Sequence, residues 1–182
     1  MMEDTPVKSL NRAAVVAVAG ATLALAGCSA GQITQTSSQV AAVDGATAST
    51  ENRELSVQDV TVVLDENGQA ALKFVATNQD RSEADHQLLS AEVDGARVNL
   101  GSTKAIGYNC SLVSDSKDGL DRIPEAKDAC IQYVANSVEN KDFAYGGNVP
   151  VKFNFDAGSI DVTATVSAPT VPSGERVTDF TR

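Results

Sequence analysis

The sequence has no tryptophan, one histidine and two methionines, and the methionines are Met1 and Met2. A single histidine, His86, and the lack of a G-x-S-x-G sequence argue against a Ser-His-Asp hydrolase, because that chemistry needs a histidine base beside an exposed serine. The sequence also has no glycine-rich phosphate-binding loop. We therefore expect no catalytic residues, no bound cofactor and no enzyme activity.

Positive charge is also scarce. Fourteen Lys and Arg residues stand against 24 Asp and Glu residues, which leaves a formal net charge of −10. Affinity for nucleic acid comes largely from neutralising phosphates, and a basic surface is also what docks proteins on anionic lipid. We expect no nucleic-acid partner, and any attachment to a membrane must come from something other than surface charge.

Long apolar runs are missing except near the N-terminus. Lys8 and Arg12 precede an apolar stretch of about 14 residues, 13–26. That length suits a signal peptide better than a membrane-spanning helix, which needs about 20 residues. The stretch closes on Leu25-Ala26-Gly27-Cys28, which resembles the lipobox of bacterial lipoproteins. An ordinary signal peptide or a buried apolar helix remains the alternative.

The lipobox resemblance implies a processing route and a location. The leader, residues 1–27, would be removed, and the sulfur of Cys28 would carry a diacylglyceryl group. Each buried methylene contributes about 0.8 kcal/mol, so two or more acyl chains hold a protein stably on a membrane. The expected location is the cell membrane, lipid-anchored on its extracytoplasmic face.

The rest of the chain divides by composition. Residues 28–53 are rich in Ser, Thr, Gln and Ala and are predicted to form a flexible tether. Residues 54–170 carry strand patterns, and residues 171–182, with Pro172 and Gly174, are predicted to be an irregular tail.

Alternating apolar residues predict about seven short strands. Asn67-Gly68 and Asp94-Gly95 are typical hairpin turns. Such strands favour an all-β fold, an immunoglobulin-like or cupredoxin-like β-sandwich. With few aromatics, the large members of its core should be Phe74, Phe153 and Phe155.

Cys110 and Cys130 are the two cysteines left after lipidation of Cys28. An even pair in an exported domain predicts a disulfide, here closing a loop of about 20 residues. Apolar residues at spacings of three and four predict one short helix over about 124–137, with Cys130 on its inner face. The helix would then lie in a disulfide-stapled insertion. A redox-active or metal-binding dithiol is the less favoured alternative.

Several segments resemble a known family when taken in order. They are Phe74-Val75-Ala76-Thr77-Asn78, the stretch 83–91, and the hairpin 147–158 with Pro150-Val151-Lys152-Phe153. These resemble the periplasmic copper chaperones of the PCuAC type. Residues 27–33 and 39–45 are more specifically similar to the actinobacterial LpqE-type lipoproteins. The resemblance implies a cupredoxin-like or immunoglobulin-like sandwich outside the cytoplasmic membrane.

The resemblance does not carry a copper site with it. The chaperones bind Cu(I) through two His and two Met, because a soft ion prefers thioether and imidazole ligands. Here Met1 and Met2 precede Cys28, and His86 is predicted to be a solvated residue at a loop edge. We expect no metal site and a binding or structural role toward an envelope protein or glycan. The alternative is a diverged copper chaperone or metal-binding protein that has lost the Met/His site.

Two further sets of residues, three aspartates and three tyrosines, each allow two interpretations. Asp115, Asp118 and Asp121 suggest calcium, but the EF-hand spacing fails because Ala126 stands where the bidentate Glu would be. A solvated acidic loop is favoured over a weak calcium site. The three tyrosines could line one binding surface or pack in the core; they are Tyr108, Tyr133 and Tyr145.

Overall fold

A computed structural model describes residues 45–126 and 129–169. The signal peptide, Cys28, most of the predicted tether and the C-terminal tail lie outside the described residues. The strands are β1 (Ala46–Ser49), β2 (Leu55–Leu64), β3 (Ala70–Asn78), β4 (Leu88–Val93), β5 (Ala96–Arg97), β6 (Asn99–Leu100), β7 (Ser111–Asp115), β8 (Ile131–Ser137), β9 (Asn148–Phe155) and β10 (Gly158–Ser167). One four-residue helix, α1 (Lys117–Leu120), lies between β7 and β8.

The strands form one sheet that rolls up almost into a barrel. Their order is β5-β4-β9-β10-β2-β3-β7-β8-β6, with β1 beside β2. The two edge strands, β5 and β6, are separated by one residue, Val98. The all-β prediction is therefore confirmed, as is a short helix within the disulfide loop.

The core lies between the two facing halves of the rolled sheet. Phe74 of β3 and Phe153 of β9 are fully buried, with ring centroids 4.9 Å apart in an edge-to-face arrangement. Phe155 is also buried. The three predicted large core residues are confirmed, and Val, Leu and Ala fill most of the remaining space.

The predicted hairpin turns have the backbone that their residues favour. Asp94 and Gly95 both have positive φ, 48° and 71°, which gives the twist that joins β4 to β5. Gly68 has φ 77° in the turn between β2 and β3. The carboxylate of Asp65 accepts the N–H groups of Asn67 and Gln69 there.

The helix predicted over 124–137 is wrong. Its second half is β8, which pairs in parallel with β7 from Ser111 opposite Ile131 to Asp115 opposite Ala135. Val134, Asn136 and Val138 are buried, whereas Ala135, Ser137 and Glu139 are exposed. This period of two marks a strand, and the apolar residues also fit a helical spacing by coincidence. Cys130 is exposed just before β8 and lies on no helix face.

A buried asparagine explains why this segment joins the sheet. Asn136 accepts the N–H of Leu72 (2.8 Å) and donates to the Leu72 carbonyl (2.7 Å) and to Ser114 Oγ (2.8 Å). Its side chain thus pairs with the β3 backbone as a neighbouring strand would. A buried backbone group left unpaired would cost about 1–3 kcal/mol, and a helix here would forfeit both Leu72 bonds.

The folded domain begins earlier than residue 54. β1 lies inside the predicted tether and pairs with β2, from Ala46 opposite Val60 to Ser49 opposite Ser56. A bulge at Asp59, which has φ 54°, interrupts the register. The Asp59 carboxylate lies 2.8 Å from Lys73 Nζ on β3.

Candidate functional site

Four polar side chains meet at one end of the rolled sheet. Glu54 directly precedes β2, Asp80 follows β3, His86 precedes β4 and Asp156 lies in the turn between β9 and β10. We call these four residues the His86 cluster. Because each lies where a strand starts or stops, the sheet itself fixes their relative positions.

His86 is held between two carboxylates. Its Nε2 lies 3.0 Å from Asp80 Oδ2, and its Nδ1 lies 3.2 Å from Asp156 Oδ1. The side chains of His86 and Asp80 are 11% and 9% exposed, whereas that of Asp156 is 43% exposed. Within the described part of the chain, Glu54, Asp80 and His86 form a group whose ligand atoms all lie within 4.8 Å of one another.

The backbone around the cluster is tightly bonded. The Gln79 N–H donates to the Glu54 carbonyl (2.7 Å), which joins the start of β2 to the end of β3. His86 exchanges two backbone hydrogen bonds with Ile106, of 3.1 Å and 2.7 Å. Asn78 Nδ2 donates to the carbonyls of Ala84 and Ile106, and its Oδ1 accepts the Asp80 N–H. The loop that carries Asp80 and His86 is therefore fixed at both ends.

The contacts of the cluster set its charge states. Burial alone would lower the pKa of His86, but hydrogen bonds that its ring donates to the Asp80 and Asp156 carboxylates, together with their charge, outweigh burial and raise this pKa above the usual 6.5. The Ser82 backbone N–H and then His86 lower the pKa of Asp80 below its usual 3.8. With three carboxylates around one imidazole, the cluster carries an excess of negative charge whether or not His86 is protonated.

The prediction that His86 is a solvated loop-edge residue is wrong. The residue lies beside a loop, but it is buried and bonded on both ring nitrogens. Little in the sequence indicates this contact, because Asp156 is 70 positions away and exposed aspartates are common. Only the pairing of β4 with β9 brings the two together.

The predicted disulfide between Cys110 and Cys130 is confirmed, with a Cα–Cα distance of 5.0 Å. The two cysteines directly precede the parallel strands β7 and β8. The Asn78 N–H donates to the Cys110 carbonyl, so the disulfide lies at the same end of the sheet as the His86 cluster.

The three tyrosines do not share one surface. Tyr108 is 41% exposed beside Cys110, at the end of the sheet that holds the His86 cluster. Tyr145 is 55% exposed, and its hydroxyl donates to the Leu64 carbonyl at the far end of β2. Tyr133 is half-buried on β8 between these ends. A single tyrosine-lined binding surface is therefore excluded.

The three aspartates considered for calcium, Asp115, Asp118 and Asp121, do not converge on one point either. Asp115 is buried at the end of β7, whereas Asp118 is exposed on α1 and Asp121 is exposed just after it. Within the residues that the structure describes, these three do not form a group of adjacent ligand atoms. Asp115 Oδ1 instead accepts the Ser116 N–H, and a Cβ at Gly119 would clash with the Asp115 carboxylate. Asp115 thus packs against α1.

The buried Asp115 predicts that the stability of the domain depends on pH. Burial raises the pKa of Asp115 above its usual 3.8, and the Ser116 N–H offsets this only in part. The folded protein therefore favours the neutral form of Asp115 more than the unfolded chain does, and this contribution to stability is lost as the pH rises through the folded pKa. Asp115→Asn should be more stable than the parent at neutral pH, and the difference should vanish below pH 3.8.

Urea unfolding at several pH values measures this difference. Asp118→Asn, an exposed change one turn away, is the matched control and should alter stability little at any pH. An Asp115→Asn protein that is less stable than the parent at pH 7 would show that the ionised carboxylate is favoured in the fold.

Comparison with known proteins assigns no family to this chain. No protein-family model matches the chain, and no curated protein sequence matches it. Among the described residues, no helix is both long and apolar enough to cross a membrane.

Proposed function

We propose that this chain is a lipid-anchored binding protein of the bacterial cell envelope, with Cys28 as its acylated N-terminus and the rolled sheet as its extracytoplasmic binding domain. The observation that carries the proposal is the arrangement of the three cysteines. Cys110 and Cys130 are bonded to each other, which leaves Cys28 as the one cysteine available for another modification. It stands where the lipobox requires it.

The disulfide supports an oxidising compartment. Disulfides persist in exported proteins and are rare in the reducing cytosol of most bacteria. This pair joins two neighbouring strands of the folded domain, so it forms part of the sheet structure. The two lines of support are independent, because one comes from the leader and the other from the fold.

The route of the chain suits a tethered domain. β1 starts at Ala46 opposite Val60 and runs toward Ser49 opposite Ser56. The chain thus enters the domain and runs toward the end that holds the His86 cluster and Tyr108. That end offers an exposed tyrosine, and exposed tyrosines are common in binding surfaces. We propose that an envelope protein or glycan binds there, without catalysis.

The copper-chaperone alternative has less support. After cleavage before Cys28 no methionine remains, and His86 is the one imidazole in the chain. Cu(I) affinity in the range of a dedicated chaperone would require soft ligands that the mature chain lacks.

Replacement of Cys28 tests the anchor. Cys28→Ala should remove the acyl acceptor, and most of the protein should leave the membrane fraction, because its acidic domain has no electrostatic attraction to anionic lipid. Detergent phase partitioning and cell fractionation measure the effect. The double variant Cys110→Ser/Cys130→Ser is the control, since it removes two sulfurs but keeps Cys28, and it should remain membrane-bound. A Cys28→Ala protein bound as firmly as the parent would refute the proposal.

A further inference from the structure

We infer that Glu54, Asp80 and His86 form a binding site for a divalent cation of the zinc class, with Asp156 orienting the imidazole. This inference does not depend on the lipid anchor. It rests on the geometry of the His86 cluster, and it replaces the expectation from the sequence that the chain has no metal site.

The first argument is the orientation of the imidazole. A histidine that binds a metal through one ring nitrogen typically donates its other N–H to a carboxylate, which fixes the tautomer and the ring position. In this structure Asp156 Oδ1 faces Nδ1 at 3.2 Å, so Nε2 is directed toward Asp80 at 3.0 Å. The Asp156–His86–Asp80 arrangement therefore has the order of an orienting carboxylate, an imidazole and a ligand carboxylate.

The second argument is distance. Zinc–nitrogen and zinc–oxygen bonds are about 2.0–2.2 Å long, so ligand atoms around one zinc ion lie about 3–4.4 Å apart. The Asp80–His86 pair already meets this spacing, and all three ligand atoms lie within 4.8 Å of one another. Glu54 is half-buried and its carboxylate accepts a hydrogen bond from Asn52 Nδ2, so metal binding requires this carboxylate to turn toward Asp80 and His86. The backbone bond from Gln79 to Glu54 holds the two chain segments that carry Glu54 and Asp80 side by side.

The third argument is chemistry. One imidazole and two carboxylates form a mixed nitrogen and oxygen set, which suits zinc and its neighbours better than calcium or Cu(I). The set supplies three ligands and leaves a position for water. A divalent cation would also offset the excess negative charge of the four clustered side chains, which one imidazole alone cannot balance.

The single histidine makes the test unambiguous. In the untagged full chain, held in detergent and freed of metal with a chelator, every imidazole NMR signal belongs to His86. Titration with Zn²⁺ should shift the Nε2 resonance and saturate at one equivalent, and calorimetry should give the same stoichiometry. Ca²⁺ should leave the imidazole signals in place.

Matched variants identify the ligands. Asp80→Asn and Glu54→Gln should each weaken Zn²⁺ binding at least tenfold. Asp156→Asn should weaken it by about 10–100-fold, as expected for an orienting partner. Asp161→Asn, an exposed change on β10 outside the cluster, should bind like the parent. Circular dichroism shows which variants stay folded. If Asp80→Asn does not fold, Glu54→Gln alone tests whether the carboxylates are ligands.

Two outcomes would overturn the inference. One is an imidazole that does not respond to Zn²⁺ at millimolar concentration, which would make the cluster an ion pair that only fastens β4 to β9. The other is Zn²⁺ binding that Glu54→Gln and Asp80→Asn leave unchanged, which would locate the metal elsewhere on the acidic surface.

Discussion

Phe74→Ala should lower the free energy of unfolding by about 3–5 kcal/mol. Phe74 is fully buried on β3 and packs edge-to-face on Phe153 of β9. These strands belong to opposite halves of the rolled sheet, so the aromatic pair is a direct contact across the core. Truncation to alanine loses burial and leaves a cavity that neighbouring Val and Ala residues are too small to fill.

Urea unfolding followed by circular dichroism measures this loss. Leu89→Ala is the matched control, because Leu89 is 59% exposed on β4 and its truncation should change stability by less than about 0.5 kcal/mol. A Phe74→Ala protein destabilised by no more than this control would show that the two halves do not pack on each other through this pair.

Loss of the disulfide should be the second large effect, at about 2–4 kcal/mol. The bond closes a loop of 20 residues and joins the starts of β7 and β8. β8 should loosen first, because its outer neighbour β6 has only two residues, Asn99 and Leu100. The β2–β3 hairpin lies next to β7 but does not depend on this bond, and it should stay protected.

Hydrogen exchange on the Cys110→Ser/Cys130→Ser protein tests this order. The double replacement avoids a free thiol that could react. Amides of β8 should exchange faster while those of β2 and β3 keep their protection. Equal loosening of every strand would contradict a local effect, and two free thiols in protein taken directly from the envelope would refute the pairing in the cell.

The sequence predicted the structure best where a few neighbouring residues determine the conformation. The turns at Asn67-Gly68 and Asp94-Gly95 depend on a few adjacent residues, and the alternating runs around Phe74 and Phe153 depend on a period of two. The disulfide followed from the count of cysteines. For the turns and the alternating runs, the short-range pattern and the final packing favour the same conformation, so these predictions needed no knowledge of distant partners.

The sequence failed where a distant partner decides the local structure. Cys130 and Val134 fit the spacing of a helix face, but Asn136 binds the backbone of Leu72, 64 positions earlier, and draws the segment into the sheet as β8. The β1 strand was missed for a similar reason. Ala46–Ser49 has the composition of a linker, and its strand conformation comes from pairing with β2.

The His86 cluster was missed for a third reason. Its members come from four strand ends, and no two of them show a recognisable spacing in the sequence. The expected ligands of a copper chaperone are methionines and two histidines, whereas the chain after Cys28 has no methionine and one histidine. The fold brings together a different set, with one imidazole and carboxylates in place of thioethers.

The mass of the mature N-terminus is the measurement that tests the central claim most directly. Protein isolated from the membrane fraction, digested and analysed by mass spectrometry, should yield an N-terminal peptide that begins at Cys28 and carries a diacylglyceryl group on its sulfur. Mild base, which hydrolyses esters, should then remove the ester-linked acyl chains. An N-terminal peptide that retains residues before Cys28, or that begins at an unmodified Cys28, would contradict a lipid-anchored protein of the cell envelope.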